Sequence, residues 1–143
     1  RQLIYGGTFF KLWGAHQIYS GLKDYEKSLV NHIRLLMTGK NLFVFPEGHI
    51  TRDGQLHSAH GGIAYLAERC KLLIVPIGIS RAYNISIKEF FLRRRKIRIN
   101  FGHPIDQAEL RQEVARKIDL GQHVYKEEAE YVMEKVKELM KSP

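Results

Sequence analysis

The chain has 143 residues, enough for one domain over residues 1–143 with a core of its own. Its 44% apolar and 27% charged residues are ordinary for a globular protein, whereas a net charge of +8 calls either for a role in solubility or for an anionic counterpart: nucleic acid, an anionic membrane or a phosphorylated substrate. A single cysteine, Cys70, excludes an internal disulfide and any multi-cysteine metal site, and no apolar run reaches the roughly 18–20 residues of a membrane span.

The first residue is Arg1, not methionine, and no signal-peptide pattern follows it, so a piece of a longer or processed protein is expected. Residues 1–14 are rich in aromatics and glycine (Tyr5, Phe9, Phe10, Trp13) without a clean period, which reads as a short helix or strand. Leu22, Tyr25, Leu29, Ile33 and Leu36 recur at helical spacing, with Asp24 as N-cap and Gly39 as stop. Residues 42–45 read as a buried strand and 46–60 as a polar, glycine-containing loop. A short helix over 61–70 presents Ile63, Leu66 and Ala67 on its apolar face, and the apolar surroundings of Cys70 predict a buried structural thiol.

Residues 73–79 read as a second core strand, in which Pro76 marks an edge or a bulge. Residues 96–101 alternate basic and apolar and predict a half-exposed strand. Two helices follow. One spans 106–119, after Pro104 and before Gly121; the other carries the stripe Val132, Met133, Val136, Leu139 and Met140. Helices alternating with strands point to an α/β layer architecture. No repeat, low-complexity segment or linker divides the chain.

The first apolar run breaks at Phe45-Pro46-Glu47-Gly48. That corner sets one carboxylate at the carboxyl end of a predicted strand, beside a glycine that lets backbone approach a ligand. In open α/β sheets ligands sit at that end.

These residues resemble the glycerolipid acyltransferase superfamily, of the 1-acylglycerol-3-phosphate and 2-acylglycerophosphoethanolamine acyltransferase type. Its third block, Phe-Pro-Glu-Gly followed by Thr-Arg-Ser and a later Gly-x-Leu, is matched without a gap from Phe45 to Leu56. Its fourth block is matched by Ile74-Val-Pro-Ile-Gly-Ile79, the glycine-rich helix start between them by His60-Gly-Gly-Ile63, and the later Phe-Gly-x-Pro-Ile by Phe101-Gly-His-Pro-Ile105. The resemblance implies a central, mostly parallel or mixed sheet flanked by helices, truncated at its amino end.

The departures are informative too. The family's first block is His-x4-Asp, but the residues five positions before the aspartates are Tyr19, Gly48, Phe101 and Val114, so no catalytic pair is expected in this chain. The family's second block is best matched by Gly14-Ala-His-Gln-Ile-Tyr-Ser20, where Ser20 replaces its arginine, and Ile50 stands at the arginine position of the third block. Phe-Pro-Glu-Gly-His-Ile-Thr resembles the variant of the branch that reacylates 2-acylglycerophosphoethanolamine, which implies an acceptor with a head group.

The resemblance further implies acyl transfer from acyl-CoA or an acyl-carrier protein to a glycerol hydroxyl, with His as base, Asp orienting it, and no metal or other cofactor. Glu47 and Gly48 inherit the acceptor site, with His49, Thr51 and Arg52 near enough in sequence to supply donors, and Arg52 the nearest stand-in for the lost arginine. Plainer readings stand beside these. Glu47 caps a turn; His57 and His60 are surface loop histidines; Trp13 and the nearby phenylalanines are core. His49 and Asp53 stand four apart, which suits a metal pair only on a helix, and the flanking glycines argue for a loop.

Phe90, Phe91, Leu92, Arg93, Arg94, Arg95 and Lys96 form the densest basic-aromatic cluster. They read either as a solvated loop or as a contact with an anionic bilayer, peripheral and on the cytoplasmic face. The rival functions are a non-catalytic lipid- or membrane-binding relative and a nucleic-acid binder. Only the charge favours the latter, since no zinc spacing or RNA-binding motif occurs.

Overall fold

The computed structural model describes residues 14, 18, 24–115 and 124–141. The aromatic segment 1–13, most of the Gly14 to Ser20 match, Leu22, Gly121 and positions 116–119 of the predicted helix lie outside the described residues. The chain divides into two compact units, Arg1–Phe43 and Val44–Pro143.

In the first unit the predicted helix is broken into α1 (Tyr25–Ser28) and α2 (Val30–Met37). Asp24 caps it as expected: its Oδ1 accepts from the Glu26 N–H at 2.9 Å and the Lys27 N–H at 3.3 Å, two donors the first turn leaves unpaired. Leu29 sits between the two pieces at φ −111°, outside helical backbone. Gly39, at φ +76°, ends the run. Ser28, Leu29, His32 and Ile33 are buried.

The second unit contains α3 (Gly62–Cys70), β1 (Ile77–Ser80), α4 (Ile87–Phe91), β2 (Arg98–Phe101), α5 (Gln107–Ala115) and α6 (Val124–Lys141). The mixture of helix and strand is as expected, but the sheet is not: β1 and β2 form a two-stranded antiparallel pair, with Ile77 opposite Phe101 and Ile79 opposite Ile99. Residues 42–45 form no strand, and Phe45 is 64% exposed. A strand exists only through a ladder partner; here the Phe45 carbonyl instead accepts the Gly48 N–H at 3.1 Å, closing a turn.

Pro76 does mark a disturbance. An isolated bridge pairs Ile74 with Ile105, one residue out of register with β1–β2, so an extra residue is accommodated around His103 and Pro104. The run 73–79 is not uniformly buried. Ile74, Pro76 and Gly78 face inward, while Leu73, Val75, Ile99 and Phe101 are exposed on the other face, Phe101 at 69%. The inner face lies on α6: a Cβ added to Gly78 would stand 2.7 Å from Leu139 Cβ, and Asn100 Nδ2 donates to the Leu139 carbonyl at 2.7 Å.

α6 contacts α3, α5 and both strands. Its Tyr131 and Val132 join Ala67, Ile74, Ile105 and Leu110 in the core, and Ala129 and Met133 pack with Ala59. Leu139 and Met140, predicted on its apolar stripe, lie half-buried against β1. Cys70, expected to be buried, is half-exposed at the end of α3. Of residues 90–96, read in one alternative as a solvated loop, Phe90 and Phe91 lie in helix, because Ser86 and Glu89 form a reciprocal capping box that starts α4.

Candidate functional site

Residues 46–60 carry no helix or strand. They form a closed loop whose ends meet: the Pro46 carbonyl accepts the His60 N–H at 2.9 Å, and Glu47 Oε2 accepts the His57 N–H at 2.7 Å. The loop's far end is fixed to α6 by Glu130, whose Oε1 accepts from Ser58 Oγ at 2.5 Å and from the Ala59 N–H at 2.9 Å. Glu47 is half-buried. One of its oxygens therefore does the bland work of pinning a turn; its Oε1 makes no hydrogen bond among the described residues and keeps acceptor capacity.

Gly48 adopts φ +70°, and a Cβ there would stand 3.0 Å from His60 Cδ2, so both backbone and space favour glycine. His49 Nδ1 lies 2.7 Å from the Glu47 carbonyl, and its ring is 5.1 Å from that of His57. Glu47, Gly48 and His49 are thus brought together, with His57 and His60 added.

Thr51 is turned differently. Its one hydroxyl proton is shared between Asp53 Oδ1 (2.9 Å) and the Gln55 carbonyl (3.0 Å), while its oxygen accepts the Gly54 N–H at 3.1 Å. Its donor is spent within the loop. Arg52 is exposed, and its carbonyl accepts from Tyr83 Oη at 2.6 Å. The Tyr83 ring covers Gly54, where an added Cβ would stand 2.8 Å away.

Asp53 pairs with His57 at 3.1 Å and not with His49. The Gln55 N–H, then the Thr51 hydroxyl, then His57, hold its carboxyl down at about 2. Sequence reading passed over this His–Asp pair because both the 49/53 and 53/57 spacings are four, and only the path of the loop selects between them. Among the described residues no cluster of three or more His, Cys, Asp or Glu could hold a metal.

The basic-aromatic cluster lies apart from this loop in sequence but is tied to it. Arg95 Nη1 donates to the Tyr83 carbonyl at 2.8 Å, and its Nη2 to Glu89 Oε1 at 2.9 Å. Arg95, read as a lipid contact, is therefore half-buried and braced inward, whereas Phe90, Phe91, Leu92, Arg93 and Arg94 are exposed. The Ser86 N–H and hydroxyl, then Arg95, hold the Glu89 carboxyl below its ordinary range.

The family model described as Acyltransferase matches residues 2–80, more than half of the chain, from before the Phe45 to Gly48 turn to the end of β1. The chain belongs to the acyltransferase family. Acyl transfer is accordingly the reaction class, and the Glu47 loop of this acyltransferase lies wholly inside the matched segment. Comparison with curated proteins and with solved structures gave no match. No helix among the described residues is long and apolar enough to cross a membrane.

Proposed function

We propose that this acyltransferase domain moves a fatty acyl group from an acyl thioester, acyl-CoA or acyl-carrier protein, to the hydroxyl of a glycerophosphate or lysophospholipid in phospholipid synthesis or remodelling. The acceptor is drawn from an anionic membrane, on its cytoplasmic face, to which the domain is peripheral. In the transfer the acceptor oxygen attacks the thioester carbonyl carbon, its proton passes to a neutral histidine, the C–S bond breaks, and the thiolate leaves to become the free thiol. No cofactor beyond the thioester is needed.

The observation that carries this reading is Glu47 at the head of the loop, with one carboxylate oxygen spent on the His57 N–H and the other able to receive a glycerol hydroxyl or an ammonium head group. A carboxylate repels a bare phosphomonoester, which favours lysophosphatidylethanolamine over lysophosphatidic acid as acceptor. Arg52, exposed in the same loop, is the donor available to the phosphodiester.

Calorimetric titration of the chain with each lysolipid below its micellar concentration tests the reading. Glu47→Gln should weaken lysophosphatidylethanolamine binding about tenfold, the scale of one charge-assisted hydrogen bond. Unchanged affinity in Glu47→Gln overturns the role of Glu47, and tighter binding of lysophosphatidic acid overturns the preference for an acceptor with a head group.

A second reading comes from the His57–Asp53 pair. The family's base belongs to a His-x4-Asp block that this sequence lacks, and turnover by this chain alone is not expected. Thiol release by the chain that disappears in His57→Gln would place a base on His57, whose backbone already touches Glu47.

A further inference from the structure

α4 is built the wrong way out for a helix of a water-soluble surface. Its acidic member, Glu89, is its least exposed side, held inward by Ser86 and Arg95. Ile87 is 78% and Phe91 77% exposed, with Phe90 and Leu92 beside them and no residue of the helix buried. Ile87 and Phe91 are one turn apart and share a face. An ordinary amphipathic helix turns that face to its core, so here large apolar side chains project from a short, capped and braced support.

The cations surround the same projection. Lys88, Arg93, Arg94 and Lys96 are exposed, and the nearest acid, Glu89, is already paired with Arg95. Arg93 takes a left-handed conformation, φ +51°, which ends the helix and turns the chain directly behind Leu92. An open depression of about 690 Å³ lies between Ile87, Phe91 and Leu92, flanked by Lys88 and Arg94. A second copy of this chain would bring like charges together and is disfavoured. An anionic bilayer offers both complements, acyl chains for the phenylalanines and head groups for the cations.

We infer that α4, with Ile87, Phe90, Phe91 and Leu92 as the inserted wedge and Lys88, Arg93, Arg94 and Lys96 as the head-group contacts, docks this domain on an anionic lipid bilayer. The inference rests on the reading of the acceptor as a membrane lipid and says which face meets that membrane. Arg95 is left out of the lipid contact: it is the brace. Through Arg95 and Tyr83 the wedge is joined to the Arg52 carbonyl of the Glu47 loop. Docking therefore holds the acceptor loop at a fixed place relative to the surface that supplies the acceptor.

The test is flotation of the full chain with vesicles of phosphatidylcholine alone and of equal parts phosphatidylcholine and phosphatidylglycerol, without lysolipid or thioester. The chain should float with the mixed vesicles only. Phe91→Ser with Leu92→Ser, and separately Arg93→Glu with Arg94→Glu, should each lower the bound-to-free ratio at least about tenfold, with unchanged circular dichroism. In Phe91→Trp, the emission added over that of the wild-type chain should shift to the blue on mixed vesicles and be quenched by lipids brominated in their acyl chains. Equal flotation of wild type and both double variants overturns the inference, as does retention on immobilised polyglutamate without flotation, which would assign the face to an acidic protein. Glu47→Gln should float like wild type; if it does while acceptor binding fails the titration above, the wedge stands and the acceptor reading falls.

Discussion

Two carboxylates of the second unit are pushed in opposite directions. Asp53 is held down at about 2 by the Gln55 N–H, the Thr51 hydroxyl and His57, so its contribution to loop order is complete above the ordinary aspartate range near 4 and is lost as pH falls from there through 2. Glu128 on α6 is 1% exposed with Oε2 unpartnered, and burial, then the nearby Glu68 carboxylate, pushes its pKa up. Its raised pKa reverses the sign. The folded state holds the proton more tightly than the unfolded one, so stability falls as pH climbs from the unfolded glutamate value through the folded one, and stays lowered above it. Glu128→Gln should therefore raise stability at pH 7 by roughly 1–2 kcal/mol, and urea melts at pH 4 should show the gain shrinking. Protection of the Gln55 amide, its exchange rate relative to that of an unstructured peptide at the same pH, should fall between pH 4 and pH 2 in the wild-type chain and lose that pH dependence in Asp53→Asn.

Among the elements, the sheet and α6 meet through glycine. Gly78→Ala places a Cβ within 2.9 Å of Leu139 backbone, which cannot swing aside as a side-chain end would. A loss of about 1–3 kcal/mol in chemical denaturation is expected. Gly102→Ala presses on Pro76 Cγ and on the flexible Leu139 Cδ1 and should cost less; because both substitutions push on Leu139, the pair should fall short of the sum. The same elements mark how much the sequence disclosed. Helices α1, α2, α3 and α6 were legible through their apolar spacing, α1 through its Asp24 cap as well, and α5 through the Pro104 before it, all of them local signals. Residues 42–45 were not, since an apolar run names no partner and the Phe45 carbonyl closes a turn instead. α4 was hidden under its basic run, although Ser86-x-x-Glu89 had the spacing of a capping box. Within the loop, the approach of Glu47, Gly48 and His49 followed from adjacency. The pairings of Asp53 with His57 and of Tyr83 with Arg52 depend on how the loop closes, which no spacing states.

For the second unit as a whole, α6 is the common partner of α3, α5, β1 and β2. It supplies Ala129, Tyr131, Val132 and Met133 to the core, and its Glu130 anchors the loop that carries Glu47. On the ribosome, every other element of this unit leaves the tunnel before the one segment that can close its interior. The nascent unit must wait with Ala67, Ile74, Ile105 and Leu110 uncovered, a natural client for a chaperone, and its acceptor loop takes shape only when the core does. A chain cut short before Val124 should be degraded rapidly by protease, and the chain through Lys141 should resist it.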